Sequence, residues 1–254
     1  MTGFVVFMAK ESREILRTWR IWVLPGILLL FAVSGPLLAQ FTPQLVEAAV
    51  GNRQLNGFKV PTPTYLDAYA QWLKNLSQLV VLALIIVYGS VVSGETRSGT
   101  AVLMLTKPLS RPAFVVAKAV VHSAFLAVLV IAGTLITWGI TAIIFGSAPG
   151  SALWSATMAW LVLGILFVGL MTLLSTLIGS AAGAAGAGLG AYALLLIAAI
   201  WKPLGTYSPA ALTTQVTSLA AGKSVDVLWP VVTSLLVAVA CVALAGQVFR
   251  LKDL

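Results

Sequence analysis

The sequence predicts an all-α polytopic membrane protein with six transmembrane helices, an N-terminal amphipathic interfacial helix and both termini cytoplasmic. Three observations carry that prediction. First, 60% of the 254 residues are hydrophobic and only 9% are charged; an ordinary soluble domain carries about 25% charged residues. A soluble globule would lack polar cover, and intrinsic disorder requires the opposite composition. Second, the apolar residues fall in continuous runs and do not alternate, which favours helices over a β-barrel. Third, the charged residues sit between these runs or at their edges, where a chain crossing hydrocarbon must keep them. The net charge of +8 is therefore read as topology and affinity for anionic lipid, and no nucleic-acid partner is expected. A lone Cys241 excludes a disulfide scaffold and any multi-cysteine metal site.

At 1.5 Å per residue, about 20 apolar residues cross a hydrocarbon core of about 30 Å. Residues 4–20 come first. Phe4, Met8, Ile15 and Trp19 share one face of a helical wheel against Lys10, Glu11, Arg13, Glu14 and Arg17, as suits a helix lying among headgroups. The first span is 21–41, with Pro25 and Pro36 inside it. It is read as an uncleaved helix, because it exceeds the roughly 7–15 apolar residues of a signal peptide. An extracellular loop, 42–75, contains helical-looking stretches at 44–49 and 65–73. The second span, 76–93, leads into a cytoplasmic loop, 94–118. The third and fourth, 119–145 and 152–178, form a hairpin about the tight turn 146–150. The fifth, 184–201, follows a glycine-rich link, and the sixth is 227–249, after an external segment, 203–226. The whole chain is expected to form one transmembrane domain.

Basic residues set the orientation. Ten lie on the side of both termini: Lys10, Arg13, Arg17, Arg20, Arg97, Lys107, Arg111, Lys118, Arg250 and Lys252. Five lie opposite: Arg53, Lys59, Lys74, Lys202 and Lys223. The richer side is predicted cytoplasmic. Tryptophans, which favour the interface, agree: Trp19 and Trp22 mark the inner edge, and Trp72, Trp154, Trp201 and Trp229 the outer.

Little in the sequence supports catalysis. The one histidine, His122, sits near the cytoplasmic end of the third span and reads as an interfacial polar residue, and no G-x-S-x-G or H-E-x-x-H pattern occurs. Cys241 reads as a packing residue. Gly222-Lys223-Ser224 resembles the end of a phosphate-binding loop, but Thr217 stands where its first glycine belongs. Ion-coupled carriers usually hold an ionisable group at mid-membrane, and these spans hold none. The spacings Gly179-x-x-x-Gly183 and Gly186-x-x-x-Gly190 permit close helix packing or a hinge.

The informative stretch is the loop after the second span. Glu95 stands at its start, followed by Arg97, Gly99 and Thr100, then Leu103 and Leu105, then Pro108, Ser110 and Arg111, with Lys118 further on. Val102, Leu103 and Leu105 would hold a short helix parallel to the membrane. Glu95 is favoured near its N-terminus, Pro108 stops it, and Arg111 and Lys118 hold the next span at the headgroups.

This stretch resembles the signature of permease subunits of type-2 ATP-binding-cassette (ABC-2) exporters: an acid, Gly-Thr, an apolar run, a Pro, a small-polar-basic pair and a later Lys. The stretch from Lys10-Glu11 to Arg17 resembles that family's elbow helix. The ending from Val248-Phe249-Arg250 to Asp253-Leu254 is similar to its terminus, and Ser208-Pro209 to a recurrent pair before the sixth span. The resemblance implies a non-catalytic half-transporter of a bacterial or archaeal cell membrane. It would pair with a second permease, as homo- or heterodimer, and with two copies of an ABC ATP-binding subunit. ATP and Mg would be bound by that partner, and no cofactor or metal by this chain. The residues implied to couple to the ATPase are Glu95, Arg97, Gly99, Thr100, Leu103, Leu105, Pro108 and Arg111, with Lys10 and Glu11 from the elbow. ATP-driven closure would change the packing of spans one, two and five. The uncharged spans fit an amphipathic or hydrophobic cargo such as a drug, peptide, lipid or lipid-linked glycan. The alternatives are an ion-coupled carrier and a non-transporting scaffold or sensor.

Overall fold

The computed structural model describes residues 2–50, 62–100 and 110–252, and every regular element among them is helical. Among the described residues six stretches are long and apolar enough to cross a membrane: Ile21–Val46, Tyr65–Arg97, Arg111–Phe145, Ser151–Leu177, Ala181–Ala198 and Leu228–Leu251. The all-α, six-span architecture is therefore present.

Helix α1 (Thr2–Arg17) is amphipathic, but its buried stripe is Phe7, Glu11 and Ile15, with Phe4 and Met8 half-buried. Glu11 thus lies on the packed face and not the polar one. Trp19 falls in the turn beyond α1 and is exposed. Helix α2 (Arg20–Val50) runs through Pro25, Pro36 and Pro43 and continues well past residue 41. Proline removes the N–H that would bond the carbonyl four residues earlier. For Pro36 that carbonyl belongs to Ala32, and the Thr137 hydroxyl from a neighbouring helix donates to it at 3.3 Å. A side chain thus restores the bond the ring deleted, as in other proline-containing membrane helices.

The second crossing begins outside its apolar run. Helix α3 (Tyr65–Asn75) passes through one π-helical turn (Leu76–Val80) into α4 (Val81–Tyr88). Its start is fixed by a capping box in which the Asp67 carboxylate accepts from the Thr64 N–H at 2.7 Å and hydroxyl at 2.9 Å. The amphipathic stretch at 65–73 is thus the first part of this crossing. Trp72 corrects the interfacial reading: it is fully buried and its Nε1 donates to Thr134 Oγ1 at 3.2 Å. Its ring lies over Gly133, where an added Cβ would come within 2.7 Å of it. Trp19, Trp22, Trp201 and Trp229 are exposed.

After the short α5 (Ser93–Arg97), α6 (Arg111–Phe145) is capped by Ser110, whose hydroxyl accepts from Ala113 N–H. Pro112 stands in the first turn, where its missing N–H costs least. Gly146, at φ 71°, ends α6 in the left-handed conformation that glycine adopts without a Cβ penalty. Helix α7 (Ser151–Leu177) returns and is joined to α8 (Ala181–Ala198) by three residues, with Ser180 as N-cap. Helices α9 (Leu204–Tyr207) and α10 (Leu212–Ala220) precede α11 (Leu228–Leu251), which packs along α7 and α6. Helix α10 packs on α3 and α7, and α1 on α6.

Helix α8 is the least buried span. Its close contact is made by Gly188, where a Cβ would come 2.5 Å from Met171 Sδ. Among the described residues Gly179, Gly186 and Gly190 meet nothing within 4 Å, so these members of the two small-residue spacings serve no packing between described parts of the chain.

Candidate functional site

The site forms where the second crossing breaks. Helix α4 ends at Tyr88, and an added Cβ on the following Gly89 would lie 2.7 Å from the Ala181 carbonyl. The chain then turns, and the buried Ser175 hydroxyl on α7 holds the turn. It accepts from Val92 N–H at 3.1 Å and Ser93 N–H at 3.0 Å, and donates to Ser93 Oγ at 3.2 Å. This starts α5 and aims Glu95 inward.

Glu95 meets two lysines. Lys118 Nζ donates to Glu95 Oε1 at 2.7 Å and to Glu11 Oε2 at 2.9 Å. Lys10 Nζ donates to the same Glu95 oxygen at 3.0 Å and to Glu11 Oε1 at 2.9 Å, and pairs with Glu14 one turn on. Lys118 is 1% exposed, Glu11 2% and Glu95 8%. Three segments distant in sequence, α1, α5 and α6, are thereby tied at one buried point. Lys118 is no headgroup anchor: α6 begins at Arg111, and its first two turns carry Lys118 into the bundle.

Aromatic rings close the cluster. Lys118 Nζ lies 5.2 Å from the Phe114 ring centroid, and Lys10 Nζ 5.4 Å from that of Phe7. Both are within cation–π range. Phe7 and Phe114 pack at 5.0 Å, and Phe114 stacks on Phe249 of α11 at 5.1 Å and 7°. Helices α1, α6 and α11 therefore meet at one end of the bundle.

Burying ions costs several kcal/mol each, and only close partners offset it. Burial alone would lower the pKa of Lys10; the hydrogen bond to Glu14 and the charges of Glu11 and Glu95 outweigh it and raise it above the usual lysine range. For a raised base, the stabilising contribution is complete below the unfolded value of 10.5 and lost only as pH rises past the folded one. Lys10 thus stays an ammonium through the physiological range. Oxygens of Glu11, Glu14 and Glu95 converge to within 4.8 Å, close enough to serve a cation, and the Lys10 ammonium pairs with all three carboxylates. Among the described residues Glu95 Oε2 has no hydrogen-bond partner.

Of the expected coupling residues, Lys10, Glu11 and Glu95 come together. Arg97 lies exposed at the end of α5, and Gly99 adopts φ 73°. Thr100 is half-buried, with its hydroxyl 2.8 Å from that of Ser98. Leu103, Leu105 and Pro108 fall outside the described residues. Arg111 lies apart from the cluster: its Nη1 donates to the carbonyls of Arg250 at 3.2 Å and Lys252 at 2.7 Å, holding the end of α11, while Lys252 Nζ reaches Thr176 O at 2.9 Å. His122 is buried against the edge of Tyr88 (4.9 Å) and is not interfacial.

Lys118 and Glu14 were missed as site residues. The available signals were Glu11, which continues the 4-7-8-15 apolar stripe of α1, and Lys118, which stands alone in the apolar run after Arg111. The arrangement holds charges in fixed pairs and offers no nucleophile with a base. It can transmit movement between α1, α5 and α6, since none of the three can shift alone without exposing a buried ion.

No curated protein matches the chain. The model of the ABC-2 family transporter protein matches residues 5–254, which includes most of α1, the cluster and every span, and the chain belongs to that family of membrane transport components.

Proposed function

We propose that this chain is the transmembrane subunit of an ATP-driven exporter, operated from the cytoplasm by separate ATP-binding subunits. The supporting observation is the buried cluster of Lys10, Glu11, Glu95 and Lys118. In this reading the cluster-bearing end, with both termini, faces the cytoplasm, and the segment from Glu95 to Arg111 contacts the motor together with α1. Closure of two ATPases on ATP and Mg moves α1, α5 and the start of α6 as one body, and the spans switch between two packings. A second permease covers α2 and α8, whose faces are largely open. The cargo is amphipathic or hydrophobic, and this chain performs no catalysis.

The test is purification of the tagged permease from its native membranes with any bound ATPase. Gly99→Val places a β-branched residue at φ 73°, where the strain is roughly 1–2 kcal/mol, and among the described residues nothing lies within 4 Å of its Cβ. The expected result is an ATPase that co-purifies with the wild type and loses at least about tenfold of its permease-dependent turnover with the variant. An unchanged turnover would contradict the reading.

A further inference from the structure

A groove of about 480 Å³ opens between α6, α7 and α11, away from the ion cluster. Val116, Val120 and Ser123 of α6 form one wall, Val239 and Ala243 of α11 the other, and Gly169 of α7 the floor. Ser123 carries the one polar side chain of the lining. At that floor Gly169 lets α7 and α11 pack closely: an added Cβ would stand 3.1 Å from the Ala238 carbonyl. At 1.5 Å per residue, Val116 to Ser123 lie about 8–18 Å along the axis from Arg111, which, with Arg111 at the headgroups, is the depth of the acyl chains in that leaflet. Towards that end α6 and α11 draw together: a Cβ on Gly246 would be 3.4 Å from Pro112.

Among the described residues, the charges that α6, α11 and Lys252 carry beyond that end are all positive. Arg250 is exposed and follows Ala243 by seven residues, so it continues the same stripe of α11 two turns further out. Arg111 and Lys252 stand beside it. Helices α6, α7 and α11 contain no Asp or Glu. An occupant must be apolar for most of its length and anionic at the end near Arg250. We propose that the groove holds one acyl chain of an anionic phospholipid whose phosphate is met by Arg250. The inference is independent of the motor assignment.

The purified full-length protein, offered equal amounts of phosphatidylglycerol and phosphatidylcholine in detergent, is read by native mass spectrometry. One arginine near an anionic headgroup gives a preference of about fivefold, so the wild type is expected to retain phosphatidylglycerol by about that factor. Arg250→Gln keeps a lipid adduct and brings the ratio close to one. Ala243→Trp, at an exposed position, fills the groove and removes the adduct. Equal retention of the two lipids by the wild type overturns the proposal. So does an unchanged adduct in Ala243→Trp, and if that variant instead splits a dimer, the groove belongs to a second copy of the chain.

Discussion

Lys118→Met is expected to lower stability by about 3–5 kcal/mol, the usual result of removing one partner from a buried ion pair. The loss comes less from the missing attraction than from what stays behind. Glu11 and Glu95 are both buried and each gives an oxygen to Lys118; without it, three carboxylates face the one ammonium of Lys10. Removing Glu95's charge as well, in Lys118→Met with Glu95→Gln, leaves Lys10 with Glu11 and Glu14. This pairwise removal is expected to recover more than half of the loss, because an absent pair costs far less than a broken one. Thermal unfolding in a fixed detergent, by tryptophan fluorescence, gives both numbers. A single variant as stable as the wild type would mean that the lysine is not buried among these carboxylates. The double variant is also expected to separate folding from coupling: it is stable, yet a co-purified ATPase is not driven normally, because α5 and α6 no longer share an ion.

Trp72→Ala is expected to cost a similar amount, about 3–5 kcal/mol, by a different route. The ring is fully buried, lies over the bare backbone of Gly133 and donates to Thr134. Its loss leaves a cavity that helices tied at both ends cannot collapse. Thr134 keeps its own bond to the Val130 carbonyl at 2.8 Å, so the penalty is one of packing and not of an orphaned hydroxyl. Trp72 belongs to the part of the second crossing farthest from Glu95. The protein that does fold should therefore drive its ATPase normally, measured per folded molecule. A coupling defect in Trp72→Ala as large as that of the Lys118/Glu95 pair would deny the cluster any special part in coupling.

The spans were legible because hydrocarbon imposes one demand, an uninterrupted apolar length, and each of the six runs meets it. The helix ends were less legible. Pro43 and the polar stretch after residue 41 read as the end of the span, yet α2 continues, and within it Thr137 supplies the bond that Pro36 lost. That repair comes from another helix about a hundred positions away and has no local sign. Similarly, Tyr65–Asn75 carries Asp67 and Lys74 and reads as a surface helix, while its other face buries Tyr69 and Trp72. The ion cluster was half legible. Lys10, Glu11 and Glu95 were picked out through resemblance to a signature, whereas Lys118, though part of it, was assigned to the headgroups and Glu14 to the polar face of α1, the ordinary fates of charges near a span's edge. No periodicity relates residues 11, 95 and 118, and only the packing of α1 against α6 brings them together. Glu11 was read on the polar face of α1, although its position four residues from both Phe7 and Ile15 sets it on the buried stripe.

The most direct test of the account is the side of the membrane on which the cluster-bearing end lies. Arg97 is exposed, and a cysteine there, in a Cys241→Ala background, reports its side to an impermeant maleimide. The account predicts labelling in inside-out vesicles and none in intact cells. Labelling of intact cells at that position would put Glu95, Lys118 and α1 out of reach of any cytoplasmic ATPase and contradict the proposed mechanism.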